Sequence, residues 1–164
     1  MPSGGPMIVA LIASIHYLAL GLGLGSVFMR GRYIRALQGA AAVERAGTLK
    51  SLFAADNVWG LAAFLWLASG VARAFGGLEK GTAYYLGNPL FAVKMGLFLL
   101  VLALEIPPMI TFIKWRLSLA KGQAPARIDE HVFLRRLYQL NSAEVLLICL
   151  IPVVASMMAR GIGY

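Results

Sequence analysis

Four long apolar runs alternate with short polar stretches along this chain. The first extends from about Met7 to Met29, the second from Phe53 to Phe75, the third from Pro89 to Ile113 and the fourth from Val132 to Ala159. A hydrocarbon core of about 30 Å takes roughly 20 residues of helix, and every run reaches that length. Backbone groups in lipid must be satisfied within the segment, so each run is predicted to be an α-helix. Boundary residues agree: Asn88-Pro89 supplies an N-cap and a first-turn proline, and Asp129 can cap the fourth helix. Pro107-Pro108 and Pro152 fall inside the third and fourth helices, where kinks are expected. The expected fold class is therefore all-α, a four-helix transmembrane bundle forming a single integral membrane domain over 1–164. Its connections fall at 30–52 and 114–131. The stretch from Tyr33 to Leu52 is amphipathic and is expected to lie as a short helix along the inner membrane surface. Gly76 to Asn88 is expected to form an outer loop, with Tyr84 and Tyr85 in an interfacial aromatic belt.

The basic residues orient the bundle. The first connection carries Arg30, Arg32, Arg35, Arg45 and Lys50; the third carries Lys114, Arg116, Lys121 and Arg127, with Arg135 and Arg136 just beyond. Eleven of the 15 Lys and Arg thus fall on one side, which the positive-inside rule assigns to the cytoplasm. Both termini are then non-cytoplasmic, and the expected location is a bacterial cytoplasmic (inner) membrane. Met1 to Pro6 contains no basic residue, so the first run is expected to be a retained span and not a cleavable signal.

Composition strengthens this reading. Hydrophobic residues make up 60% of the 164 and charged ones 13%, more apolar surface than a soluble domain of this size can bury. The net charge of +8 sits beside apolar runs, so it points to anionic headgroups of the lipid bilayer and to no nucleic acid partner. Cys149 is the sole cysteine, which rules out an internal disulfide and a thiolate cluster. The HExxH, CxxC, GxxxxGK[ST] and GxSxG patterns are absent.

Ionisable residues at membrane depth cost free energy and are candidate sites. At 1.5 Å of rise per residue, His16 lies about 13 Å below the outer end of its helix, Lys94 about 7 Å and Glu144 about 12 Å. These three are expected in one outer layer. Asp56, Glu105, His131, Arg135 and Arg136 are expected in an inner one, where Asp56 and Glu105 with Arg135 and Arg136 read as a salt-bridge network. Lys94, Phe98, Val101 and Glu105 share one helical face; so do Asp56, Gly60, Ala63 and Gly70, with Arg73 nearby. Gly21 and Gly25 form a small-xxx-small pair that admits a neighbouring helix or a flat macrocycle. His16 has two readings: an axial ligand for heme iron, or a histidine hydrogen-bonded across helices to Glu144 or Asn141. Lys94 with Glu144 reads as an ion pair, a proton relay or a propionate clamp. Arg30 to Arg35 read as topology determinants.

The runs Ala55-Asp56-Asn57-Val58-Trp59-Gly60, Gly70-Val71-Ala72-Arg73, Lys80-Gly81-Thr82-Ala83-Tyr84-Tyr85 and Asn88-Pro89-Leu90-Phe91-Ala92-Val93-Lys94 resemble an uncharacterised bacterial integral membrane family, domain of unknown function 2214. Pro107-Pro108 and Trp115-Arg116 continue the match. That family is remotely similar to HemJ-type protoporphyrinogen oxidases and to copper-resistance D membrane proteins. The resemblance implies a heme-associated or redox role, with His16 and Lys94 in matching positions. The oxidases' tryptophan-glycine signature after the histidine is replaced here by Leu18-Ala19-Leu20-Gly21-Leu22-Gly23.

The expected function is that of a small polytopic membrane protein binding heme b through His16, with Lys94, Arg73 and Glu144 around it; failing heme b, no cofactor is expected. The alternative is a non-catalytic helical subunit, in a homo-oligomer or a larger membrane complex. Copper handling is weaker, because Met157-Met158 and His131 lie on opposite sides.

Overall fold

Pro6 opens the first helix, where its missing N–H costs nothing and its fixed φ favours the helical turn. This helix, α1 (Pro6–Leu37), runs 32 residues, about 48 Å at the standard rise and longer than a hydrocarbon core. A tight turn leads to α2 (Ala42–Phe75), a short α3 (Thr82–Gly87), α4 (Pro89–Ala120) and α5 (His131–Ala159). The computed structural model describes residues 5–78 and 81–163, so Lys80 lies outside the described residues. All described regular elements are helical, and α1, α2, α4 and α5 are each long and apolar enough to cross a membrane. Each shows lipid a large exposed side chain in its middle: Leu18, Phe64, Leu99 and Leu146 are all at least 60% exposed. Apolar surface exposed on every side requires an apolar solvent.

The helices run up and down, so both ends of the described chain lie at one end of the bundle with α3. Gly163 packs beside Asn88 and Leu90 there, and Tyr84 on α3 donates to the Met158 carbonyl at 2.7 Å. The α1–α2 and α4–α5 connections form the opposite end. Helix α1 packs along both α2 and α5, and α4 along α5; α2 and α4 meet through side chains, as where Arg116 bonds Asn57 and Asp56.

Some local expectations change. The stretch Tyr33 to Leu52 makes no separate surface helix: its residues extend α1 and begin α2, burying Ile34, Leu37, Leu49 and Leu52 against Trp115 and Leu134. Burying that apolar face in the bundle removes more of it from water than lying on the interface. Asn88 caps α4 as expected, accepting from the Leu90 amide at 2.9 Å. Asp129 caps nothing; Glu130 holds the N-cap position of α5, and Asp129 accepts from Arg45 at 2.6 Å instead. Tyr84 and Tyr85 lie on or within α3, not in an open loop.

Three apolar layers stack along the bundle. At the connection end are Ile34, Leu52, Phe112 and Leu137 with their neighbours; in the middle are Val27, Trp59, Trp66, Val101 and Ile148; at the termini end are Ala74, Tyr85, Phe91 and Met158. Polar residues occupy the two gaps between these layers.

Candidate functional site

The gap nearer the termini holds His16. Its imidazole is 9% exposed and packs on Gly70, where a β-carbon would come within 3.2 Å of Cε1. Glycine at 70 thus makes room for the ring. Nδ1 of His16 lies 2.9 Å from the Ser69 hydroxyl. That hydroxyl has one proton, and the Leu65 carbonyl accepts it at 2.6 Å. Nδ1–H must therefore donate to Ser69, an assignment made from the hydrogen-bond network, so Nε2 carries the lone pair.

His16 stands on the wall of a cavity of about 580 Å³, formed by α1, α2, α4 and α5 and bordered by Tyr84 and Tyr85 of α3. Trp66, Leu20, Phe91, Phe98, Ile151 and Met158 supply apolar wall, and Tyr17, Arg73 and Lys94 join His16 as polar lining. The Arg73 guanidinium lies over the Tyr17 ring, 5.1 Å from its centroid, a geometry in which the ring's quadrupole favours the cation. His16 and Phe98 flank Trp66, at 6.1 and 5.6 Å between centroids. A mostly apolar cavity of this size with a few converging polar groups has the form of a small-molecule site.

Glu144 does not belong to this layer. It lines no part of the His16 cavity and instead binds Arg30, on the far side of the middle apolar layer. Nor are Glu144 and Asn141 the partners that hold Nδ1 of His16; Ser69 is. Depth counted from span ends misplaced Glu144 because these helices run past the hydrocarbon boundary.

The second gap centres on Arg30, which is fully buried and is no mere topology signal. Its Nε donates to Asn141 Oδ1 at 2.8 Å. Nη1 donates to Glu105 Oε1 at 2.8 Å and to Asp56 Oδ1 at 3.3 Å. Nη2 donates to Glu105 Oε2 at 2.8 Å and to Glu144 Oε2 at 2.5 Å. Arg116 holds the other Asp56 oxygen at 2.8 Å, and Asn141 Nδ2 donates to the Val27 carbonyl at 3.0 Å. Each long helix contributes at least one member. The expected partners Arg135 and Arg136 are exposed, as is His131; they begin α5 on its outward faces, and Arg30 and Arg116 take their place. Arg30 was findable: Gly23, Val27, Arg30, Ile34 and Leu37 recur at spacings of four and three, so the arginine falls on the buried stripe of α1.

The glycines divide similarly. Gly23 lies against Trp59 and Gly31 against Asn141, whereas Gly21, Gly25 and Gly60 have nothing within 4 Å of a β-carbon position. Among the described residues no three His, Cys, Asp or Glu side chains group as metal ligands.

Residues 8–163 match the family described as Predicted membrane protein (DUF2214). The chain belongs to the DUF2214 family. No curated protein and no solved structure matches this DUF2214 chain, so the remote likeness to the protoporphyrinogen oxidases and copper-resistance D proteins has no counterpart there. Among the described residues, the cavity and the Arg30 cluster both gather polar side chains inside the long helices of this DUF2214 protein.

Proposed function

We propose that the cavity beside His16 is a membrane-embedded binding site for an apolar small molecule bearing acidic groups, with heme b, ligated by His16, as its occupant. The observation that carries this is an imidazole on the cavity wall, packed on Gly70 with Nδ1 2.9 Å from the Ser69 hydroxyl, an arrangement in which Nδ1–H goes to Ser69 and Nε2 is the ligating nitrogen. Metal-bound histidines are characteristically held this way, by an acceptor on the other ring nitrogen. The residues fit the group in three further respects. The wall is apolar and aromatic, Arg73 and Lys94 are cations suited to propionates, and Met95 and Met158 bring thioethers to the same cavity. Bound heme supplies one-electron chemistry at its iron; His16 would hold it, Ser69 orient His16, and the aromatic wall exclude water.

The test is an absorption spectrum of protein purified after heme-replete expression. A Soret band in the wild type that is lost or shifted in His16→Ala is the expected result. No Soret band, or one unaltered in His16→Ala, overturns the heme assignment.

The basic residues at the connection end support placing that end in the cytoplasm of a bacterial inner membrane. Labelling of single cysteines in a Cys149→Ser background, at Ser3 and at Gln123, tests it: only Ser3 should react from outside.

A second reading, a non-catalytic helical subunit, rests on Gly21 and Gly25. Both face outward with open space beside them, as a seat for a helix of another chain requires. Gly25→Leu should then break co-purification of that chain without unfolding this one.

A further inference from the structure

The Arg30 cluster has more acceptors than donors. A guanidinium has five N–H groups, and those of Arg30 are matched by Asn141, Asp56, both oxygens of Glu105 and Oε2 of Glu144. Nothing remains for Oε1 of Glu144, which is buried without a hydrogen-bond partner on a side chain with no exposed surface. Charge repeats the imbalance. Asp56, Glu105 and Glu144 face two guanidinium groups, those of Arg30 and Arg116. One Nη2 serves both glutamates, so their carboxyls lie side by side, each with an oxygen on the same nitrogen. Two carboxylates crowded onto one donor repel, and like charges at such range do not both ionise.

We propose that Glu144 is a reversible proton-binding site inside the membrane, with Glu105 as its hydrogen-bond partner. Protonated, the cluster is neutral: two guanidinium groups face two carboxylates and one carboxylic acid. Deprotonated, it carries one uncompensated negative charge in a low-dielectric interior. Exchange runs through Glu105 and Asp56, whose side chains are 16% and 18% exposed where Glu144 shows none. They lie on α4 and α2, joined there by Arg116. A proton from water binds the Glu105 carboxylate and passes to Glu144; release reverses these steps. Arg30 from α1, Asp56 from α2, and Glu105 and Arg116 from α4 are the charged groups around Glu144. A metal cation in this place would sit against the Arg30 guanidinium, whereas a proton adds no group that the guanidinium repels.

Infrared difference spectroscopy of the protein in lipid nanodiscs, titrated with pH, tests the site. The wild type should show the C=O stretch of a carboxylic acid that is absent in Glu144→Gln and displaced in Glu105→Gln. Glutamine keeps the shape and neutrality of the acid, so Glu144→Gln should melt within about 4 °C of the wild type. Three results overturn the proposal: no carboxylic band at any pH at which the protein is folded, a band that survives undiminished in Glu144→Gln, or a wild-type band that responds to sodium at constant pH. Failure of Glu144→Gln to fold also overturns it, because that variant removes only an anion the proposal says is absent.

Discussion

Arg30 on α1 donates to Glu144 on α5, and neither side chain has any exposed surface. Burying a lone cation in this interior is costly, and Arg30 is there because acceptors from three other helices meet it. The pair joins the first and last spans, between an apolar layer centred on Trp115 and one centred on Trp66.

Removing the cation should therefore harm the fold more than removing an equal volume of core. Arg30→Met leaves the Asp56, Glu105 and Glu144 carboxyls clustered without the guanidinium that holds them together. The expected loss is about 3–5 kcal/mol, read as a large fall in thermal midpoint in detergent. Arg30→Lys keeps charge but loses the fork that reaches Asn141 and both Glu105 oxygens, and should fall between.

Glycines on α1 should divide into two classes. A β-carbon at Gly31 would stand 2.6 Å from Asn141 Nδ2, so Gly31→Ala should cost about 1–3 kcal/mol through overpacking. Gly21→Ala meets open space and should leave the monomer's melting temperature unchanged. Parallel thermal scans of the two variants make the comparison.

Four spans and their order were legible in hydropathy, because lipid imposes length and apolarity on each helix separately. Membership of the polar layers was not, since it depends on which helices meet. Ending the first span at the first arginine places Arg30 at the surface by construction, although α1 continues to Leu37. Periodicity did carry through on α4: Lys94 and Phe98 line the cavity, Val101 is in the core and Glu105 reaches Arg30. The role of Ser69 had no sequence signal, as a serine in an apolar run has no marked partner until α1 and α2 are packed.

Ser69→Ala should free the His16 ring without removing it. If heme b is the ligand, its affinity should fall about 10–100-fold, measured by titration of the apoprotein. Retention of wild-type affinity would show that Ser69 does not orient the histidine.

Asn88→Ala should cost about 1 kcal/mol, the usual cost of a lost N-cap. The side chain caps Leu90 and is buried, so fraying should begin at the first turn of α4. Faster amide hydrogen exchange at Leu90 and Phe91 is the measurement.

At the connection end, the hydrogen bond from Arg127 holds the Glu130 carboxyl below its usual titration range. A depressed carboxyl favours the fold above its unfolded value, and that contribution is lost as pH falls through the folded value. The expected window is thus acidic, and the effect small because both side chains are solvent-exposed. Arg127→Ala should move the Glu130 titration, followed by NMR of its side-chain carboxyl, to higher pH.

A ribosome delivers the members of the Arg30 cluster in a fixed order. Asp56 follows the arginine by 26 residues, Glu105 by 75 and Glu144 by 114. Helix α2 brings one acceptor to a cation already in the membrane, and α4 and α5 bring two each. A chain stopped before α5 lacks Asn141 and Glu144, and its Arg30 keeps two N–H groups unmatched. The unfinished protein is thereby distinguishable from the finished one by two unmet donors at a buried guanidinium, until the last helix docks.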